Sequence, residues 1–126
     1  MIHGIGTDLV EIARVEAALK RHGDRFACRI LSEAEFGEFQ RAAQPAHFLA
    51  KRFAAKEAGA KALGTGFADG VTLKHLTVGK DKRGKPLLMM HARAAELCVE
   101  YGVTEVHLSI ADERAYAVAF VTLVRG

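Results

Sequence analysis

The run Phe48 to Gly66, FLAKRFAAKEAGAKALGTG, constrains this chain more than any other stretch, because it is alanine-rich, free of proline and closed by two glycines. Strong helix formers over that length predict an unbroken helix of about four turns, with Gly64 or Gly66 as its stop. On a wheel of about 100° per residue, Leu49, Phe53, Ala60 and Leu63 gather on one flank, with Lys56 among them and Arg52 just beside. That flank is not a clean apolar stripe. Glu57 and Lys61 stand one turn apart on an adjacent flank, and alanines with Gly59 fill most other directions. Such small residues let other elements approach from several sides, which would bring some of these charges partly inside. The alternative is ordinary charge pairing along a solvated face, worth a few tenths of a kcal/mol per pair.

A length of 126 residues suits one domain, 1–126, that buries about two thirds of its unfolded surface. Half of the residues are hydrophobic and a quarter charged, a balance that excludes intrinsic disorder. A net charge of +3 and a pI near 9.0 fit an anionic ligand or an acidic partner without demanding nucleic acid. Tryptophan is absent and aromatics are few, which argues against a stacking surface for single strands. Cys28 and Cys98 match no metal-ligand spacing and make no disulfide framework, so reduced thiols and a cytoplasmic location are expected. The N-terminus lacks the basic and continuous apolar regions of a signal peptide, and no apolar run is long enough to cross a bilayer.

In chain order, Ile2 to Ile12 reads as a strand with Gly4, Gly6, Asp8, Val10 and Ile12 on one side of the pleat. A carboxylate on that face needs a cation, a metal or strong donors nearby. The competing possibility is that Gly4 and Gly6 break the strand and Asp8 closes a turn. Ala13 to His22 reads as a helix ended by Gly23, and Asp24 as the N-cap of a short helix to Leu31. Arg14, Lys20, Arg21, Arg25 and Arg29 make this the most basic part of the chain, either a solvated surface or a docking face for an acidic protein. Ser32 and Glu35 form a capping box opening a helix to about Ala43, and Pro45 sits where the central helix would begin. Val71 to Gly79 and Pro86 to Met90 read as strands joined by the charged loop Lys80 to Lys85, with Gly84 at positive φ. His91 to Tyr101 reads as a helix. Val103 to Ala111 and Ala115 to Val124 follow as a closing hairpin, whose last strand is apolar on both faces as a central or subunit-covered strand would be. The expected class is α+β, a mostly antiparallel sheet packed against the long central helix.

A carboxylate on a strand face, a second inside a crowded helix, and basic groups near glycine turns call for one explanation. Two carboxylates make a poor zinc site but suit Mg²⁺, which takes one or two of them and completes its octahedron with water and phosphate oxygens. Lysines and arginines would neutralise the rest of a polyphosphate. The residues thus point to a magnesium-dependent site acting on a diphosphate.

The same residues resemble the holo-[acyl-carrier-protein] synthase family, the small 4′-phosphopantetheinyl transferases. The matching pieces are Gly4-Ile5-Gly6-Thr7-Asp8, the run Arg52-Phe53-Ala54-Ala55-Lys56-Glu57-Ala58 with Lys61 one turn on, Gly64-Thr65-Gly66, Gly84-Lys85-Pro86 and the closing hairpin. The resemblance implies the 4′-phosphopantetheinyl transferase fold. It also implies transfer of phosphopantetheine from coenzyme A to a serine of apo acyl carrier protein, releasing adenosine 3′,5′-bisphosphate, a step of fatty acid biosynthesis. It implies that Asp8 and Glu57 hold Mg²⁺, that Glu57 orients or deprotonates the serine, and that Lys61 stabilises the departing phosphate or takes part in proton transfer. It further implies that Arg52, Gly64, Thr65, Lys82, Gly84, Lys85 and Pro86 line the coenzyme A site, shared between neighbouring subunits of a homotrimer. Arg14, Arg21 and Arg25 would face the acidic carrier protein. One departure stands out: many members carry a Ser-His pair where this chain has Ala111-Asp112, so no role for that histidine transfers, and His107 keeps only a packing or ligand role. Two rivals remain, a docking module with structural carboxylates and a magnesium-dependent phosphohydrolase. The joint presence of Asp8, Glu57 and Lys61 favours the transferase over the docking module, which has no need of them.

Overall fold

The computed structural model describes residues 1–126. Its elements are β1 (Ile2–Glu11), α1 (Ile12–His22), α2 (Asp24–Ile30), α3 (Glu33–Gln40), α4 (Pro45–Leu63), a 3-10 turn (Leu73–His75), β2 (Leu76–Lys80), β3 (Pro86–Met90), α5 (Ala92–Tyr101), β4 (Val103–Asp112) and β5 (Tyr116–Arg125). β5 lies between β1 and β4 in an antiparallel three-stranded sheet, and β2 and β3 form a separate hairpin. The α+β class and the central position of the last strand are as expected.

Helix α4 is the axis of the molecule. It begins three residues earlier than Phe48, with Pro45 in its first turn, and ends at Gly64, whose φ of 89° closes the helix in the left-handed conformation. Its alanines are buried almost all round, because the three-stranded sheet lies on one side and the β2–β3 hairpin on another. Close approach explains the glycines. A Cβ on Gly6 would overlap the carbonyl oxygen of Ala58 and stand 2.7 Å from the Ala62 nitrogen, and one on Gly4 would overlap Ala62. Across the helix, a Cβ on Gly59 would meet Leu76 Cδ2 at 2.6 Å and Leu88 Cδ2 at 2.8 Å. Thus Gly4 and Gly6 do not break the strand: β1 pairs continuously with β5 from Gly4 to Glu11. Gly6→Ala is expected to cost roughly 2–4 kcal/mol, because backbone on both sides must move apart. A thermal melt would show a drop on the order of 10 °C, and an unchanged melting temperature would refute this packing.

The rotation of α4 is pinned by a buried polar network. Lys56, completely inaccessible, donates from Nζ to Ile30 O at 2.6 Å and to Glu35 Oε1 at 2.7 Å. Glu35 Oε1 also accepts the Ser32 N–H in the expected capping box, while Oε2 accepts the Val78 N–H at 2.9 Å and a hydrogen bond from Arg52 Nη1 at 3.3 Å. The charges that the helical wheel placed among apolar residues are therefore internal, and they tie α2, α3 and β2 to α4.

Several boundaries differ from expectation for local reasons. Gly23, not Asp24, precedes α2 as its N-cap, and no side chain caps that helix. Helix α3 stops at Gln40, short of Ala43. The stretch before Leu76 is a 3-10 turn, so the second strand is five residues long and does not start at Val71. Ala115 stays in the β4–β5 turn, where its carbonyl accepts the N–H of Ile12 and fixes the start of α1. Gly84 has φ of 84°, as the hairpin loop required.

Candidate active site

Asp8 shares the pleat with Gly6 and Val10, both buried, and so points toward α4. Lys61 reaches back from the last turn of α4 to donate to Asp8 Oδ1 at 2.9 Å and to the carbonyl of Thr7 at 3.1 Å. Glu57, one turn earlier, completes the group. Asp8 and Glu57 line a single cavity of about 420 Å³, together with Glu11, Arg14, Val15, Phe26 and Phe53 among others. Two carboxylates from opposite ends of a sequence separation of 49 residues thus face the same space.

The electrostatics bear this out. Partial burial, then the neighbouring charge of Asp8, pushes the Glu57 carboxyl above its ordinary value of 4.5, and Lys61 only partly opposes the rise. Like charges held together in a half-buried cavity attract a cation. No group of three or more His, Cys, Asp or Glu is gathered closely enough to form a metal site, and Glu11 also lines this cavity; Asp8 and Glu57 are the pair that could hold a divalent ion here. Two carboxylates beside an open cavity fit Mg²⁺, which keeps water and phosphate oxygens in its remaining positions.

The residues that the resemblance assigned to coenzyme A fall in two places. Arg52, Gly84 and Pro86 line a second cavity of about 240 Å³, with Glu38, Phe48, Lys51, Lys80 and Asp112. Gly64 sits twelve residues beyond Arg52, about 18 Å along the helix axis, and Thr65 follows it, its hydroxyl donating to Gly66 O at 2.8 Å. Lys82 and Lys85 are exposed outside that cavity, on a loop whose Asp81 carboxylate accepts the N–H groups of Arg83 and Lys85. Arg52 is not a free cation: its guanidinium is shared among Glu35, Glu38 and Val78 O.

Sequence reasoning missed Lys51, Glu38 and the Phe26 and Phe53 walls. Lys51 precedes the matching run by one residue and looks like any surface lysine, while Glu38 shows its role only through its contact with Arg52. At the departure from the family pattern, Asp112 Oδ2 lies 3.0 Å from Nδ1 of His47, so an imidazole from α4 stands beside position 112. His107 is half exposed and 3.9 Å from Glu105. Arg14, Arg21 and Arg25 are all exposed, and Arg14 alone also lines the carboxylate cavity.

The 4′-phosphopantetheinyl transferase superfamily matches residues 4–121. The holo-[acyl-carrier-protein] synthase of Halorhodospira halophila is 60% identical over 126 residues, covering 100% of both chains. Among solved structures, the holo-[acyl-carrier-protein] synthase of Neisseria meningitidis superposes with a TM-score of 0.92 at 43% identity, covering 99% of this chain and 100% of that one. The Bacillus anthracis synthase, solved in complex with CoA (3′,5′-ADP), gives 0.83 at 38% identity and covers 100% and 99%. On this full-length similarity of sequence and fold, the chain belongs to the 4′-phosphopantetheinyl transferase superfamily, as an enzyme of its holo-[acyl-carrier-protein] synthase family.

Proposed function

We propose that residues 1–126 act as one transferase domain that moves the 4′-phosphopantetheine arm of coenzyme A to a serine of apo acyl carrier protein in the cytoplasm, a magnesium-dependent step serving fatty acid biosynthesis. The observation that carries this reading is that Asp8 and Glu57 line one cavity while Lys61 donates to Asp8. Asp8 and Glu57 would hold Mg²⁺, which supplies charge neutralisation across a diphosphate. Glu57 is placed to orient the incoming serine hydroxyl or take its proton, and burial and then Asp8 raise its proton affinity above the ordinary carboxylate value. Lys61, half exposed, offers a positive charge to the departing phosphate or a proton path. Phe26, Phe53 and Val15 supply apolar walls to the same cavity.

Two surfaces support the partners. The outer face of the three-stranded sheet exposes Ile5, Leu9, Val118 and Phe120 side by side, an apolar patch unusual on an isolated chain. A homotrimer would cover it, and would also let Gly64 and Thr65 of one subunit join Arg52, Gly84 and Pro86 of another around one coenzyme. Phe120→Glu is expected to yield monomers by light scattering with at least a tenfold loss of turnover. Full activity from a monomer would refute the shared site. Arg14, Arg21 and Arg25 form the docking face for the acidic carrier, and Arg21→Glu should raise KM for the carrier while coenzyme A affinity stays the same. The direct test of the function is incubation with coenzyme A, Mg²⁺ and apo carrier protein. Mass spectrometry should show one added phosphopantetheine, abolished by a chelator, whereas adenosine nucleotide release without carrier modification would favour a phosphohydrolase.

A further inference from the structure

The second cavity holds a cation that is already paired. Arg52 Nη1 donates to Val78 O at 3.0 Å and to Glu35 Oε2 at 3.3 Å, Nη2 donates to Glu38 Oε2 at 3.1 Å, and the guanidinium lies 4.5 Å over the Phe48 ring. The two carboxylates are not equivalent. Glu35 is 2% exposed and also accepts from Lys56 and two backbone N–H groups, so its displacement would strand two buried cations. The Glu38 side chain is 46% exposed and has no hydrogen-bond partner except Arg52. Charge matching says the same: Glu35 balances Lys56, leaving Arg52 balanced by Glu38. A half-exposed ion pair of this kind is held weakly.

We propose that Glu38 is a placeholder anion on Arg52, exchanged for a phosphate group when ligand enters the cavity. The proposal rests on the reading of this cavity as part of the coenzyme A site. An empty cavity would otherwise leave a nearly buried guanidinium without its second counter-charge, which Glu38 prevents. A phosphate carries more negative charge and more acceptor oxygens than a carboxylate, so it takes over the Nη2 donor with gain, and Glu38 turns to solvent. Lys51 and Lys80 on the same wall receive the remaining charge. Glu38 thereby sets a threshold: ligands with a phosphate displace it, and weaker anions do not. It is a positioning and specificity residue, not a catalytic one.

The test is calorimetric titration of coenzyme A, and separately of inorganic pyrophosphate, into the intact protein as wild type, Glu38→Gln and Glu38→Ala. Both variants are expected to bind each probe about five- to tenfold tighter, since no internal anion has to leave, and KM for coenzyme A should fall by a similar factor. Thermal melts identify any variant that fails to fold, and the other then carries the comparison. Unchanged or weaker binding of both probes in a folded variant overturns the placeholder. If wild type does not bind coenzyme A, the coenzyme reading falls. Pyrophosphate then still decides whether Glu38 competes for Arg52.

Discussion

Glu57→Gln is expected to lower turnover by roughly a thousandfold or more, about 4 kcal/mol of transition-state stabilisation, while leaving the fold intact. The substitution keeps the shape of the side chain and removes only its charge. That charge is one the fold disfavours: burial and then Asp8 raise the carboxyl above its ordinary 4.5, with Lys61 opposing. A raised folded value means the ionised form costs stability, a cost that appears as pH climbs through the raised value. At neutral pH the glutamine variant should therefore melt at the wild-type temperature or slightly above it. A more stable, less active enzyme is the signature of a residue retained for chemistry. Wild-type turnover in Glu57→Gln would remove Glu57 from the mechanism, and a large loss of stability would recast it as structural.

Glu35→Ala should act in the opposite way, destabilising by roughly 3–5 kcal/mol, or on the order of 10–20 °C in melting temperature. Removing this carboxylate leaves Lys56 Nζ with one carbonyl partner, Arg52 with one fewer counter-charge, and the N–H groups of Ser32 and Val78 without acceptors. Burial alone would raise the Glu35 carboxyl, but Lys56 and the N–H groups of Ser32 and Val78 outweigh it and hold the group below 4.5. The sign of the pH dependence follows. The contribution of Glu35 is fully present above its unfolded value near 4.5 and is lost as pH falls through the depressed folded value. The stability gap between wild type and Glu35→Ala should therefore narrow on acidification below that range. A gap constant from pH 7 down to acid unfolding would contradict the buried ion network.

Much of the site was legible in the primary structure, and the reasons for what was not are physical. Helix α4 announced itself through propensity, and the capping box at Ser32 and Glu35 through local spacing. Lys56 and Arg52 were visibly out of place on the wheel, yet their partner Glu35 lies 21 residues from Lys56, beyond the reach of any periodicity. Gly4 and Gly6 were ambiguous because a turn and a close helix contact both select glycine, and only the overlap with Ala58 and Ala62 separates the two. The 3-10 turn at Leu73–His75 was masked by an alternation that suits a strand equally well. The Asp8 and Glu57 pairing was inferred from the demands of two out-of-place carboxylates and then from motif resemblance, since nothing local links positions 8 and 57. The division of the coenzyme residues between two regions is a matter of helix length, which residue types do not reveal.

The most direct measurement is titration of Mn²⁺, as a paramagnetic stand-in for Mg²⁺, into the protein with coenzyme A present, following free ion by electron paramagnetic resonance. One ion should bind per chain, and Asp8→Ala or Glu57→Ala alone should abolish it. Undiminished binding in both variants would contradict the claim that these two carboxylates hold the ion together.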